Sequence, residues 1–177
     1  DMDAILDQFI SFIRDGSDEA SELNDLNEVI SQVINQFESN GVSIKARQSQ
    51  LPYIAFKRLA IKRMLSNLVN NAVRHGRQPI EIISGVENQE IRISVCDCGD
   101  GVNENEMNQL FQPFARGDEA RGTLGSGLGL AIVRKIAEMH HGRVELKNRD
   151  DGGLEARVSL PLAGELVPPE NLSTSVR

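Results

Sequence analysis

Gly122-Thr-Leu-Gly-Ser-Gly-Leu-Gly-Leu130 constrains the chain more than any other stretch, with four glycines in nine residues. It runs straight into Ala131-Ile-Val-Arg-Lys-Ile-Ala-Glu-Met139, whose apolar content is that of a buried helix. Glycines at a helix entrance let backbone approach a ligand and turn its N–H groups outward. The first N–H groups of a helix lack partners, and its positive dipole end attracts anions. The stretch therefore suits phosphate; the competing reading is a surface loop. Two common phosphate loops are excluded. A P-loop needs a Gly-Lys pair, and the chain has none. A dinucleotide fingerprint needs a small third position and a preceding strand. Here that position is Leu130, and Phe114 to Gly122 is too polar for a strand.

The 177 residues allow one domain with a full core and a short appendage. A net charge of −7 and only 4% aromatic residues argue against a nucleic-acid partner, which requires a basic face. No apolar run approaches the roughly 18 residues of a membrane span. No signal peptide is visible, and a start at Asp1 is what an excised fragment would show. Cys96 and Cys98 are too close in sequence for a good disulfide and have no paired histidine for a metal, so reduced thiols are expected.

Met2, Ile5, Leu6, Phe9, Ile10 and Ile13 follow helical spacing and predict an amphipathic helix ending near Asp15-Gly16. It is either the tail of a helical bundle or a helix packed on its own domain. Gly16 to Leu23 reads as a linker. Asp25-Leu-Asn-Glu28 predicts a helix start with a reciprocal cap, followed by an apolar face at Leu26, Val29, Ile30, Val33, Ile34 and Phe37. Strands are predicted over Val42 to Arg47 and Pro52 to Ala55, and a helix from Phe56 to His75 that stops at Gly76. Ile80 to Ser84 and Ile91 to Cys96 form a hairpin about Glu87-Asn88-Gln89. Glu104 to Leu110 reads as a short helix. The helix after the glycine loop reaches His141 and is capped by Gly142. Arg143 to Lys147 and Leu154 to Leu160 are the last strands. The pattern predicts a two-layer α/β (α+β) sandwich, a mixed sheet covered on one face by about three helices. The tail from 164 to 177 reads as disordered.

Two further clusters carry chemistry. On the helix ending at His75, Asn67, Asn71, Arg74 and His75 share one face beside the buried stripe. Asparagine is a poor residue for a helix interior, yet Asn67-Leu-Val-Asn-Asn71 holds three. An amide oxygen is a hard neutral ligand suited to Mg²⁺; the alternative is a solvated face. Asp97-Cys-Gly-Asp-Gly101 closes an apolar strand. Asp97 could place its carboxylate on a pocket floor and accept from a purine amino group, or the run could be an ordinary turn.

Taken together, Asn67…Asn71, Asp97-x-Gly99-x-Gly101 and Gly125-Ser-Gly-Leu-Gly129 resemble, in order and spacing, the N, G1 and G2 boxes of sensor histidine kinase ATP-binding domains. Leu110-Phe-Gln-Pro-Phe114 resembles their F box and Gly152-Gly-Leu154 their last glycine box. The resemblance covers about Leu26 to Leu162. Phe111-Gln-Pro-Phe-Ala-Arg-Gly-Asp118 and Asp7-Gln-Phe-Ile10 are most similar to osmosensing members of that family. It implies a Bergerat-type fold of the GHKL superfamily and binding of ATP with Mg²⁺. It implies that Asn71 coordinates Mg²⁺, Asn67 lines the triphosphate, with Arg74 beside it, and His75 packs near the adenine. It implies that Asp97 reads the adenine amino group and that Gly99 and Gly101 let backbone approach the base. Phe111 and Phe114 would anchor a lid from about Asn103 to Leu124. Arg116 and Arg121 would reach the terminal phosphate from it. Gly125, Ser126, Gly127, Leu128, Gly129 and Leu130 would bind phosphate.

The family transfers phosphate to a histidine on a separate dimeric helical domain, upstream of the N box. Here only His75, His140 and His141 occur, none before Asn67. The expectation is therefore a catalytic ATP-binding domain over 24–163, with 1–23 the tail of the acceptor hairpin and a linker. The fragment is expected to be monomeric and soluble, unable to label itself. Its whole protein would sit at the cytoplasmic face of a bacterial inner membrane and pass phosphate to an OmpR-like response regulator. The competing readings are a GHKL ATPase clamp and a non-catalytic nucleotide-binding docking module. A clamp hydrolyses ATP with a glutamate on the asparagine helix, and Met64-Leu-Ser66 offers none.

Overall fold

The computed structural model describes residues 18–115 and 127–162, with Asp3, Leu6, Asp7, Ile10 and Arg14 before them. Those five are helical, as the spacing predicts, and exposed. Leu6 is 53% and Ile10 41% exposed, so these two apolar groups do not pack on the domain. The tail from 163 onward lies outside the described residues.

The elements follow in the order β1 (Glu22–Asn24), α1 (Leu26–Ser39), β2 (Ile44–Gln48), β3 (Ile54–Phe56), α2 (Arg58–His75), β4 (Ile80–Glu87), β5 (Glu90–Cys96), a 3-10 turn (Gln109–Phe111), α3 (Gly129–Met139), β6 (Arg143–Asn148) and β7 (Leu154–Pro161). β2-β4-β5-β7-β6 form one sheet, parallel between β2 and β4 and otherwise antiparallel. This is the mixed sheet and helical layer that the sequence predicts.

Strand alternation puts one face of the sheet against the helices. Ile82, Val95, Ala156 and Leu146 lie across from one another in register, as do Ile93, Val158 and Val144. They join the apolar faces of α1, α2 and α3 in a single core. The other face carries Glu81, Glu155 and Lys147 in one cross-strand row and Arg157 and Glu145 in the next. Its charges are paired: Arg47 reaches Glu81 across the β2–β4 edge, Arg149 reaches Glu81 from the turn after β6, and Arg157 pairs with Glu155 along β7. A sheet polar on one side is what one helical layer requires.

Three local expectations are corrected. Overlapping the end of the segment read as linker, Glu22–Asn24 is a strand pairing antiparallel with β3; backbone bonds hold it where its sequence has no strand pattern. Glu104 to Leu110 is a series of turns that ends in the 3-10 turn. Asn103 Oδ1 accepts from the Asn105 N–H at 3.1 Å there, a local bond that competes with helix. At α1 the forward half of the cap forms, Asp25 accepting from the Asn27 N–H at 3.0 Å. Glu28, the expected returning partner, accepts instead from Arg58 at 3.0 Å.

The end of α3 differs in an instructive way. Gly142 N–H donates to the Ala137 carbonyl at 2.8 Å and His141 N–H to that of Glu138 at 3.0 Å, a Schellman cap. The left-handed position is held by His141, with φ of 59°, and not by Gly142. Gly142 is glycine because a Cβ there would lie 2.2 Å from the Ser159 carbonyl oxygen. Adjacent substitutions should therefore act in opposite directions. His141→Gly is expected to raise stability by about 1 kcal/mol. Gly142→Ala is expected to lower it by about 1–3 kcal/mol through overpacking. Urea midpoints of the two variants check both signs.

Candidate nucleotide site

Helix α2 is the frame of the site. Ala60, Ile61, Met64, Leu65, Leu68, Val69 and Ala72 bury one face in the core. Asn67 and Asn71 stand half-buried one turn apart beside it, and Arg74 and His75 are exposed at its last turn. Asn67 Nδ2 donates to the Arg63 carbonyl at 3.0 Å. That bond uses the amide's donor inside its own helix and fixes Oδ1 toward α3. Oδ1 lies 3.5 Å from where a Cβ of Gly129 would stand. The first N-box asparagine and the end of the glycine loop are thus neighbours, as the spacing alone cannot show.

Glycine enters α3 without a side-chain cap, and Ile132 N–H makes the first helical bond, to Leu128. The preceding N–H groups are those an anion could use. Leu128 and Leu130 are buried with their side chains in the core, so they offer a ligand only backbone. Gly127, with φ of 68°, packs on the chain before the loop: its Cβ would lie 2.9 Å from the Phe114 Cα. The Phe114 N–H donates to the Gly127 carbonyl at 2.9 Å. The stems of the 116–126 segment therefore meet. Arg116, Arg121, Gly125 and Ser126 lie outside the described residues. Phe111 is buried in the core. Phe114 is 53% exposed, and its backbone is bonded to Gly127.

Asp97 follows β5 and is buried. Its Oδ1 accepts from the N–H of Gly99 at 2.8 Å and of Leu154 at 3.2 Å. Both bonds fall on one oxygen, and a carboxylate has two. Three glycines make room for it. A Cβ at Gly76 would lie 2.2 Å from the Asp97 Cγ, and one at Gly99 would lie 3.1 Å from Oδ1. One at Gly153 would lie 2.0 Å from the Asp97 carbonyl oxygen. Arg149 Nη1 donates to that same carbonyl at 2.9 Å. Gly101 has φ of 76° and would meet Asn148 Oδ1 at 2.4 Å. The Asn148 amide clamps Val102, accepting from its N–H at 2.9 Å and donating to its carbonyl at 2.7 Å. The glycines of this box are thus demanded by the protein's own packing.

Partial burial holds the His75 imidazole below its usual range; Arg74 lowers it further, and Asp97 pulls it back. The ring is neutral at pH 7, which suits contact with an uncharged base. Cys96 is buried and its thiol is pushed up to about 11, mainly by that burial. It is inert, and Cys98 is free and exposed, in line with reduced thiols.

A family model described as histidine kinase-, DNA gyrase B- and HSP90-like ATPase matches residues 56–164. The chain belongs to this ATPase family. Within it, the chain is 32% identical over 133 residues to sensor histidine kinase component HK1 of Mycobacterium tuberculosis, covering 75% of this chain and 79% of HK1. It is 41% identical over 105 residues to the sensor histidine kinase CpxA of Escherichia coli, 58% of this chain and 23% of CpxA. The histidine kinase domain of the E. coli osmosensor EnvZ superposes with a TM-score of 0.64 at 37% identity, covering 86% of this chain and 96% of that domain. The chain is thus a histidine-kinase-type ATP-binding domain. It spans about a third of the length of other sensor kinases it matches.

Gly76, Asn148 and Arg149 were not legible as site residues. Gly76 reads as a helix stop, and the other two stand at the end of β6 and in the turn that follows, without a motif. The His75 environment gives a direct check. By NMR its imidazole should titrate below 6.5, the ordinary value. Arg74→Ala should raise that midpoint by removing a repelling charge, and Asp97→Asn should lower it.

Proposed function

We propose that this domain binds Mg-ATP and donates the γ-phosphate to a histidine on a separate dimeric helical domain, for relay to a response regulator. The observation that supports the reading is the approach of Asn67 Oδ1 to within 3.5 Å of where a Cβ of Gly129 would stand, on the same helix that leads into Gly76 against the buried Asp97 carboxylate. On this reading the amide row, the entrance of α3 and the carboxylate acceptor serve one ligand. Asp97 would accept from the adenine amino group and His75 would pack near the base. Asn67 would line the triphosphate, and the backbone of Gly125, Ser126, Gly127 and Gly129 would hold phosphate. Among the described residues no group of three His, Cys, Asp or Glu could hold a metal. The amide oxygen of Asn71, with phosphate and water oxygens, is the donor set on offer, and it fits Mg²⁺. Such an ion supplies charge neutralisation on the phosphates, and the chain's own part is placement. Arg116 and Arg121 would reach the terminal phosphate.

Helix α2 contains no acidic residue, which disfavours hydrolysis of the clamp type. Likeness to the histidine kinase domain of the osmosensor EnvZ supports osmosensing for the whole protein; the OmpR-like partner and the inner-membrane attachment rest on the sequence resemblance alone. Among the described residues no helix is long and apolar enough to cross a membrane.

Calorimetry with ATP should show binding that weakens strongly with EDTA, and Asn71→Ala should remove that Mg²⁺ dependence. Asp97→Asn keeps the shape but presents a donor where the base has one, so ATP affinity should fall by about tenfold or more, with loss of preference over GTP. Full discrimination in that variant would refute the base-reading role. With labelled ATP, a supplied dimeric hairpin carrying the acceptor should become labelled and this chain should not. His140 stands eleven residues after Gly129, about 16 Å along α3 from the loop. Arg116→Ala should lower the transfer rate more than ATP affinity. Acid-labile phosphate on this chain alone, or a matched hairpin left unlabelled, would overturn the reading.

A further inference from the structure

Helix α2 carries both box asparagines, yet its own sequence gives it a poor start. Lys57 is the N-cap residue without a side-chain cap bond, and the first turn holds no acid. Lys57 and Arg58 place positive charge at the positive end of the helix dipole, where it is unfavourable. The remedy comes from elsewhere in the chain. Glu19, ahead of β1, spreads its carboxylate over the first turn. Oε1 accepts from the Leu59 N–H at 2.6 Å and Oε2 from the Ala60 N–H at 3.1 Å. These are the two donors that an N-cap side chain ordinarily serves.

His140 supplies the second support from the C-cap of α3. Its Nε2 accepts from the Lys57 N–H at 3.1 Å, and its Nδ1 lies 2.7 Å from the Ile136 carbonyl oxygen. Only the neutral ring with its proton on Nδ1 makes both bonds. Lys57 precedes Asn67 by ten residues and Gly129 precedes His140 by eleven, about 15 and 16 Å of helix. The antiparallel helix pair is thus joined by the Lys57–His140 bond at the start of α2, while the head of α3 at Gly129 faces Asn67 Oδ1 midway along α2.

We propose that Glu19 and His140 are positioning residues for the nucleotide site: they latch the segment before β1 onto α2 and hold α2 in axial register with α3. A pull on that segment is then felt at Asn67 and Gly129. The inference rests on the reading of these two residues as nucleotide-binding, but the latch itself is testable without nucleotide.

The latch has a pH sense. Burial holds the His140 imidazole below its ordinary range; the Lys57 and His141 charges act the same way, while the Ile136 carbonyl and Glu19 oppose it. Protonation turns Nε2 into a donor facing the Lys57 N–H, so the bond is lost as pH falls through that lowered value. The unfolded chain binds the proton more readily, so stability also falls as pH drops below about 6.5.

The test is NMR on the isotope-labelled 177-residue chain without ligand. Glu19→Ala should speed hydrogen exchange at Leu59 and Ala60 by about tenfold or more, and His140→Ala should do so at Lys57. In the parent, the Asn67 side-chain amide and the Gly129 amide should shift with the midpoint read from the His140 ring itself. His140→Gln keeps an acceptor that does not titrate. It should abolish that transition while leaving Lys57 exchange near the parent's. Glu19→Gln, which keeps the acceptor oxygens in part, should fall between parent and Glu19→Ala. Asn67 and Gly129 signals that ignore Glu19→Ala and His140→Ala, or that follow His75 instead, would overturn the proposal. Mg-ATP titration of the same samples separates the two claims. A parent that binds no nucleotide refutes the site reading, whereas the latch is decided by the exchange and pH data.

Discussion

Burial of the Asp97 carboxylate is the constraint on which the site region depends. A buried carboxylate is costly unless its oxygens find donors. Two backbone N–H groups, of Gly99 and Leu154, converge on Oδ1 to meet that need. For them to converge, the chain after α2, the turn after β5 and the turn before β7 must all come close to Asp97. Gly76 and Gly99 stand where a Cβ would crowd its carboxylate, and Gly153 where a Cβ would meet its backbone carbonyl. The carboxylate thereby bears on the residue type at Gly76 and Gly99, and its bonds lock the end of β5 to the start of β7.

The second determinant is the pairing of α2 with α3. The apolar faces of the two helices share one core, which leaves polar chemistry to their ends and edges. The head of α3 at Gly129 faces Asn67, midway along α2, and His140 at the end of α3 meets the start of α2. The glycine at the head of α3 allows the asparagine to come close. The distal end then takes on the task of fixing register, so its hydrogen bonds bear on a site about 15 Å away.

Much of this was legible in the sequence. The strand and helix order followed from apolar periodicity, because every main element presents one face to a single core. The boxes at Asn67…Asn71 and Gly129 were legible because asparagines and glycine are poor helix residues, and Asp97 because it follows an apolar strand between glycines in the family's order. What was not legible depends on contacts distant in sequence. Glu22–Asn24 is a strand only because β3 lies beside it. His141 takes the left-handed position because Gly142 is committed to close approach by β7. Gly76, Asn148 and Arg149 matter through Asp97 and Val102, twenty or more residues away. The exposure of Phe114 was equally hidden, since its docking runs through backbone bonded to Gly127.

The central claim is that nucleotide occupies the space bounded by α2, the head of α3 and the end of β5. Backbone and side-chain amide shifts measured during titration with Mg-ATP test it most directly. The account requires the largest changes at Asn67, Asn71, His75, Gly99 and Gly129, lost when magnesium is chelated. Changes confined to the charged face of the sheet, around Glu81, Arg157 and Glu145, would contradict it, as would a spectrum that ATP leaves unaltered.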